Sequence, residues 1–470
     1  MNDTKAEVVQ GELPRAVGFW GATAVMVGIM IGSGIFRTPP EIARQVGEPW
    51  VVMGVWVVGG LVSLAGAMTY AELASMYPRS GGVYVFLREG YGRAGPCLAF
   101  VFGWTYMLIS KPLAAAGIAI VLGENINVAL GTLGERVNAV LGTPWDPKVV
   151  TSGVLVVLTF VNVRGVKLGT GVAGVLTSLK VLALASIVVL TVWGLMSGRV
   201  EGSWGEGSAV GSAGAGMVGW GWVLPVMTAV LWTYDGWSDV GAIAGEIKDP
   251  GKKLARAYIA GTVGVMGLYL LVNWAYMTIV PLGEMAALES VAPAVAGALL
   301  GSGGAAAVAL VIVVSTLGST HGSIMTGGRV SFAQSRDGLL FSWLGRVHPR
   351  FETPAAALWA QLGLSLTALW AVGDFGSLAG GFVFTMWIFY GLGGAALFVL
   401  RARRPGEVRP FRCPGYPVVP GVFVLSALVM TVLGVMESPR ENMVWLGVLA
   451  AGAPAYWVWR RAVGGSAVGR

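Results

Sequence analysis

The chain runs to 470 residues, of which 55% are apolar and only 12% charged, and its mean hydropathy is +0.72. A water-soluble domain of that length needs far more charge, so repeated apolar runs of about twenty residues describe a chain that crosses a lipid bilayer many times. A net charge of +7 is no sign of nucleic acid in such a protein. Two cysteines (Cys97, Cys413) and two histidines (His321, His348) supply neither a disulfide framework nor an ordinary zinc or haem site.

The leading segment, Met1 to Leu13, is polar, so no cleavable signal peptide is expected and the first apolar span should direct insertion. Apolar runs between charged or Pro/Gly-rich breaks predict twelve spans: 17–43, 50–77, 96–126, 149–164, 168–197, 221–246, 255–280, 294–334, 355–373, 377–402, 418–437 and 443–461. The fourth is short, and the first, sixth and eighth carry glycines and polar residues at mid-depth. The resulting organisation is an N-terminal segment 1–16, a first five-span unit 17–197, a second five-span unit 221–402, a final pair 418–461 and a C-terminal segment 462–470.

Basic residues orient these spans, because short cytoplasmic loops are enriched in Lys and Arg. With Lys5 and Arg15 inside, only Arg37, Arg44, Arg136, Lys148, Arg199 and Arg440 fall in outside loops, and Lys111 and Lys180 lie within spans. The rest of the 31 basic residues fall inside. Both termini are expected in the cytoplasm, with the chain as a multi-pass protein of the cell (inner or plasma) membrane.

The first span holds Gly32-Ser33-Gly34 where a membrane helix normally carries Leu, Val or Ile. Glycine weakens a helix, and unpaired backbone is tolerated at that depth chiefly where it lines a cavity or is satisfied by protein. A second half-helix starting near Ser33 would offer free N–H groups and a positive dipole end, which suit a carboxylate. The alternative is a packing face of small residues, Gly28 and Gly32. In the sixth span, Asp235-Gly236 is a turn pair in mid-membrane, and a half-helix ending near Trp232 would offer carbonyls to an ammonium group. Five spans separate the positions of the two breaks, so the second copy of the repeat enters the membrane inverted, a secondary-transporter pattern with the site at the broken helices. Donors for a carboxylate and acceptors for an amine together match the backbone of a free α-amino acid.

Gly32-Ser33-Gly34-Ile35-Phe36 and Tyr234-Asp235-Gly236-Trp237 resemble signature segments of the amino acid–polyamine–organocation superfamily, in particular its L-type amino acid transporter branch. Further matches are Tyr70-Ala71-Glu72-Leu73, Pro78-Arg79-Ser80-Gly81-Gly82, Ala244-Gly245-Glu246-Ile247-Lys248-Asp249-Pro250, and Arg329 with Gln334-Ser335-Arg336-Asp337-Gly338. Arg404-Pro405, Arg409-Pro410-Phe411 and Tyr416-Pro417 continue the pattern. The resemblance implies an all-α polytopic membrane protein of twelve transmembrane helices. It implies the five-plus-five inverted-repeat (LeuT-type) fold with helices 1 and 6 broken, and alternating-access transport of amino acids without a cofactor. It further implies that amides around Gly32, Ser33, Gly34 and Ile35 hold the substrate carboxylate and that the carbonyls of Met30, Trp232, Thr233 and Asp235 receive its ammonium, with Trp232 as an aromatic lid. Where relatives often carry a small residue before the Gly-Trp pair, this chain has Asp235. Its carboxylate either faces water or a hydroxyl, the favoured reading, or biases the pocket toward positive charge.

Lys180 lies about ten residues inside the fifth span, too deep for easy snorkelling. In the family a lysine here occupies the place where sodium-coupled relatives bind a cation, and Ser315, Thr316 and Ser319 of the eighth span are the expected partners. Lys111 precedes Pro112, and a structural cation solvated by the carbonyl that the proline frees is the favoured reading. Glu72 is expected to pair with loop arginines rather than with substrate. No charged side chain besides Asp235 is expected to meet a substrate side chain.

The reading that results is sodium-independent exchange of neutral L-amino acids, small to medium in size. Proton-coupled symport, with Lys180 losing its proton in the cycle, is the rival mechanism; cationic substrates are the rival specificity. A membrane receptor is a rival of another class, and no nucleophile or metal constellation points to an enzyme. Eukaryotic relatives attach to a single-span glycoprotein through a cysteine in the loop after span three. Here the loop 124–148 has none, so no disulfide-linked subunit is expected.

Overall fold

A computed structural model describes residues 13–123, 125–126, 146–204, 220–372 and 375–467. The N-terminal residues as far as 12, with Lys5, and most of the loop after the third span, with Arg136, lie outside the described residues.

The first expected span is two helices, α1 (Phe19–Met30) and α2 (Gly34–Gln45), with the break where Gly32 and Gly34 placed it. The second is α3 (Pro49–Met76), opened by a proline whose missing N–H would have been unpaired in any case. A short helix, α4 (Val83–Gly90), precedes the third span. That span begins as α5 (Gly95–Thr105), passes through a π-helical turn, Tyr106–Ser110, and continues helical over 111–123. The fourth and fifth are α6 (Pro147–Val163) and α7 (Val166–Met196), and the Asp146 carboxylate caps α6 by accepting from the Lys148 amide at 2.8 Å.

The sixth span breaks as expected. Helix α8 (Val223–Tyr234) ends two residues later than the sequence suggested, Asp235 is extended, and Gly236 takes a left-handed φ of 112°. The second half is a tight 3₁₀ run, Trp237–Glu246, rather than an α-helix. Helix α9 (Pro250–Ile279) follows. The expected span 294–334 is divided: Gly301, at φ 74°, separates a nine-residue α10 (Ala292–Leu300) from α11 (Ser302–Arg336). The run Gly301-Ser302-Gly303-Gly304 at that corner reads equally as small-residue packing within one membrane helix, which hid it. The chain closes with α12 (Ala355–Ala371), α13 (Phe375–Arg403), α14 (Val418–Glu437) and α15 (Pro439–Ala467).

Eight of these stretches, counting Phe19–Gln45 and Gly92–Gly123 as one each, are long and apolar enough to cross a membrane, and Lys148–Val163 and Ala355–Ala371 are shorter apolar helices. Of the twelve expected spans, the sixth is split and α15 is diluted by Gly, Pro454 and its aromatic residues. The chain is an all-helical multi-pass membrane protein. Helix α7 shows the solvent logic: Leu179, Leu182 and Val189 are exposed, where lipid covers them, while Thr177 and Lys180 are buried.

At the centre, α1 packs on α7, α9, α11 and the 3₁₀ run, while α2 packs on α8. The breaks touch reciprocally. A Cβ on Gly34 would sit 2.8 Å from Thr233 Cβ and 2.9 Å from its Cα, and one on Gly236 would sit 2.9 Å from the Met30 amide nitrogen. Only glycine permits that approach, and at Gly236 also that φ.

Candidate functional site

The two breaks enclose a small cavity of about 30 Å³. Met30, Gly32, Ser33, Gly34, Trp232, Thr233 and Asp235 all line it, as expected from the sequence; Ile35 is buried beside it and does not. The cavity also takes in Lys111, Ala114, Ile118, Asp239, Ser323 and Phe382.

Its polar groups are split between those already used and those left open. The amides of Ser33, Gly34 and Ile35, at the start of α2, find no acceptor among the described residues; the next two, of Phe36 and Arg37, turn back to the Ser33 carbonyl. The hydroxyls of Ser33 and Ser323 are buried and have no partner among the described residues. Buried polar groups left so are costly, and a ligand that supplies the missing bonds recovers that cost. The Met30 carbonyl accepts from the Gly32 amide at 2.9 Å and the Tyr269 hydroxyl at 2.6 Å, so it is the least available of the expected acceptors. Trp232 O accepts from the Asp235 amide at 3.1 Å, and Thr233 O accepts only a longer bond, 3.3 Å, from Tyr269.

Asp235 meets a hydroxyl: its Oδ1 accepts from Tyr390 at 2.7 Å, and the Tyr390 oxygen lies 2.9 Å from Ser238 Oγ. Lys111 departs from expectation. Its Nζ forms a 2.6 Å ion pair with Asp239 Oδ1, both side chains being about 4% exposed, instead of resting on a carbonyl freed by Pro112. The same oxygen accepts from Thr326 Oγ1 at 2.7 Å and lies 3.4 Å from the Tyr106 hydroxyl. The π turn brings Tyr106 and Lys111 onto one face, because the Lys111 amide bonds the Tyr106 carbonyl five residues back. Two charged side chains besides Asp235 therefore line the cavity, where none was expected. The sequence did carry a signal for Asp239: the sixth span holds more than one acid and the third a single mid-span base, and charges in apolar runs are best neutralised by each other.

Lys180 is fully buried against α1. Its three N–H donors meet Gly28 O at 2.5 Å, Ile31 O at 2.8 Å and Ser319 Oγ at 2.9 Å. Gly28 and Ile31 lie at the C-terminal end of α1, where carbonyls lack helix partners and the dipole is negative. Ser319 also lies 2.8 Å from both carbonyls, and Ser315 donates to Ile31 O at 3.2 Å. Thr316, expected in this cluster, turns away: its hydroxyl bonds Ile312 O and Val313 O of its own helix. Ser315 and Ser319 are four residues apart on one face, and Thr316 falls off it.

The cavity is closed differently at its two ends. On the side of the chain's N-terminus, Arg329 makes a two-pronged buried pair with Glu246 (2.7 and 3.1 Å), and Val17 bridges to Ile247 through Val17 N–H to Glu246 O and Lys248 N–H to Val17 O. On the other side, Trp232 meets Phe382 edge-on at 5.3 Å, and Trp232 also walls a wider vestibule of about 280 Å³. Glu72 is buried away from the cavity with Arg401 (3.0 and 2.5 Å), Arg409 (3.2 Å) and the Cys413 amide (2.6 Å), as expected of a residue serving the loop arginines. His321 is also satisfied: Nε2 meets Gly169 O at 2.8 Å, which fixes the proton there and leaves Nδ1 to accept from Asn162 at 3.1 Å.

A polytopic helical protein whose two broken spans meet around a polar, occluded cavity is built as a membrane carrier. The chain belongs to the amino acid permease family, whose model matches residues 17–458. It is 30% identical over 457 residues to the serine/threonine exchanger SteT of Bacillus subtilis, with 95% of this chain and 97% of that protein covered. It is 28% identical over 429 residues to the human b(0,+)-type amino acid transporter 1, covering 91% and 84% of the two chains. With the human cystine/glutamate transporter the identity is 28% over 448 residues, covering 95% and 85%. These relatives agree with the L-type branch of the amino acid–polyamine–organocation superfamily that the motifs indicated.

Proposed function

We propose that this protein carries neutral, small to medium L-α-amino acids across the cell membrane by sodium-independent exchange, its two five-span units alternating access to the cavity. The observation that carries the reading is the meeting of the breaks: the amides of Ser33, Gly34 and Ile35, without an acceptor among the described residues, share the cavity with the segment from Trp232 to Asp235, whose Thr233 carbonyl accepts only a long bond. A substrate carboxylate would take the amides and the Ser33 hydroxyl, and its ammonium the carbonyls, with Met30 contributing least. Its side chain would then meet Ala114, Ile118, Ser323 and Phe382 under Trp232. The small volume and the open Ser323 hydroxyl favour alanine, serine, threonine and cysteine over leucine and phenylalanine. The Lys111–Asp239 pair cancels its own charge, which also suits a neutral substrate.

Lys180, with Ser319 and Ser315, stands where a coupling cation would sit, so its fixed charge replaces sodium. The N-terminal side is the cytoplasmic one, by the distribution of basic residues. The chain works as a carrier rather than an enzyme and without a disulfide-linked subunit, a reading supported by the lack of cysteine in residues 124–148. The test is counterflow in proteoliposomes loaded with serine. Labelled serine should enter equally in sodium and in choline, and an amidated analogue should not compete. Accumulation in empty vesicles under an inward proton gradient would overturn exchange in favour of symport. A second reading, cationic substrates, rests on Asp235, whose carboxylate lines the cavity; stronger competition by arginine than by alanine, lost in Asp235→Gly, would establish it.

A further inference from the structure

Away from the cavity, the loop between α11 and α12 forms a surface groove on the N-terminal side of the protein, about 830 Å³ in volume. Arg336 at the end of α11 and Arg346 in the loop both line it and are both exposed. Neither guanidinium has a hydrogen bond or ion pair among the described residues. The acid nearest in sequence, Asp337, is engaged elsewhere, by Arg88 and by the Tyr84 hydroxyl at 2.9 Å. His348 completes the polar wall. Its Nδ1 accepts from the Arg350 and Phe351 amides at 3.2 and 3.3 Å, which assigns the ring proton to Nε2 and leaves that N–H as a further donor without a partner among the described residues. Three donor groups thus line one concave surface, with no acceptor among the described residues.

The same loop exposes large aromatic side chains. Trp343, in the groove, is 46% exposed, and Phe341 beside it is 52% exposed and packs edge-on against Trp459 at 5.0 Å. The apolar helix α12 starts at the groove with Ala355 and Ala356. Tryptophan and arginine at the level where apolar helices end are the composition of a membrane–water interface. A soluble anion would use the cations alone; a lipid uses the cations for its phosphate and the apolar wall for its chains. We propose that this groove binds an anionic phospholipid, its phosphate held by Arg336, Arg346 and His348 Nε2–H and its acyl chains lying along Trp343 and the first turn of α12. Arginine matches phosphate oxygens in a two-pronged geometry that suits such a site.

Native mass spectrometry of the full chain in detergent, with phosphatidylglycerol, phosphatidylcholine or inorganic phosphate added, tests this without relying on any variant. Retention of phosphatidylglycerol in preference to phosphatidylcholine, undiminished by excess inorganic phosphate, is expected. The double variant Arg336→Gln/Arg346→Gln should lose about tenfold or more of that preference, each arginine near an anionic lipid surface contributing roughly fivefold. Trp343→Ala should weaken both lipids alike. Equal retention of the two lipids by the unaltered protein overturns the proposal. So does displacement by inorganic phosphate, which would make this a soluble-anion site, or unchanged preference in a folded double variant. Serine counterflow in neutral lipid vesicles is read in parallel, so loss of the lipid preference is told apart from loss of transport.

Discussion

Lys180 and Lys111 are both buried in the membrane-spanning body and both lie beside the first broken span, yet they are held by opposite means. Lys180 has no carboxylate among its hydrogen-bonding partners: two carbonyls at the end of α1 and one serine hydroxyl take its three protons. Lys111 is neutralised outright by Asp239, which Thr326 steadies. The difference teaches that a helix break supplies its own counter-charge, since the carbonyls that a break orphans are the ones an ammonium can use. Where no helix end is available, a second side chain is required. Lys180 is thus coupled to the shape of α1, and Lys111 to the identity of its acidic partner.

The largest expected effect removes the break that Lys180 braces. Gly34→Val drives a branched side chain into Thr233, so serine counterflow should vanish although the protein still inserts; undiminished uptake would break the account of the opened amides and of the break that Lys180 holds. Next comes Asp239→Asn, which strands a buried ammonium at a cost of about 3–5 kcal/mol. Thermal unfolding should show that loss, and Lys111→Met/Asp239→Asn should recover most of it. Lys180→Ala should cost less, about 1–3 kcal/mol per buried group left unpaired, because Ser319 still reaches one of the two carbonyls. Its counterflow should nevertheless fall sharply, since α1 loses its tether, and Lys180→Arg should not restore it because a planar fork does not fit three converging acceptors. If Lys180→Ala proved as destabilising as Asp239→Asn, the contrast between the two sites would collapse. The smallest effect is Tyr106→Phe, about 0.5 kcal/mol for a long, 3.4 Å bond; a larger loss would show that the hydroxyl takes a full share in holding Asp239.

What could be read from the sequence follows the same division. The breaks were legible because glycine, serine and an Asp-Gly pair are out of place in apolar runs. The Lys180 site was legible because a lysine ten residues inside an apolar span is out of place, and Thr316 was misplaced because the hydroxyls of the eighth span were not sorted by helical face, on which only Ser315 and Ser319 meet. Local signals sufficed in each case. Asp239 was passed over because its partner is 128 residues away and because it sits in a 3₁₀ turn, where α-helical spacing does not say which way a side chain faces. The pair Arg329–Glu246 was seen only as two motif fragments for the same reason. The corner at Gly301 was passed over because its run Gly301-Ser302-Gly303-Gly304 reads equally as small-residue packing inside a membrane helix.

The π turn at Tyr106–Ser110 carries a consequence that is best counted in residues. Each π turn holds one residue more than the α turn it replaces, so the third span is one residue longer than its height requires. Deleting any one of residues 106–110 would let the segment relax to a plain α-helix, still long enough to span. Everything after it would keep its place, because the residue removed is the one the wider turn absorbs, and Lys111 would stay over Tyr106, four residues on instead of five. Substitutions that closed the turn to an α-helix with all its residues kept would instead rotate everything after it by about 100° and swing Lys111 off Asp239, while leaving the lysine in the chain. The charge in the cavity thus depends on the match between the length of this segment and its winding.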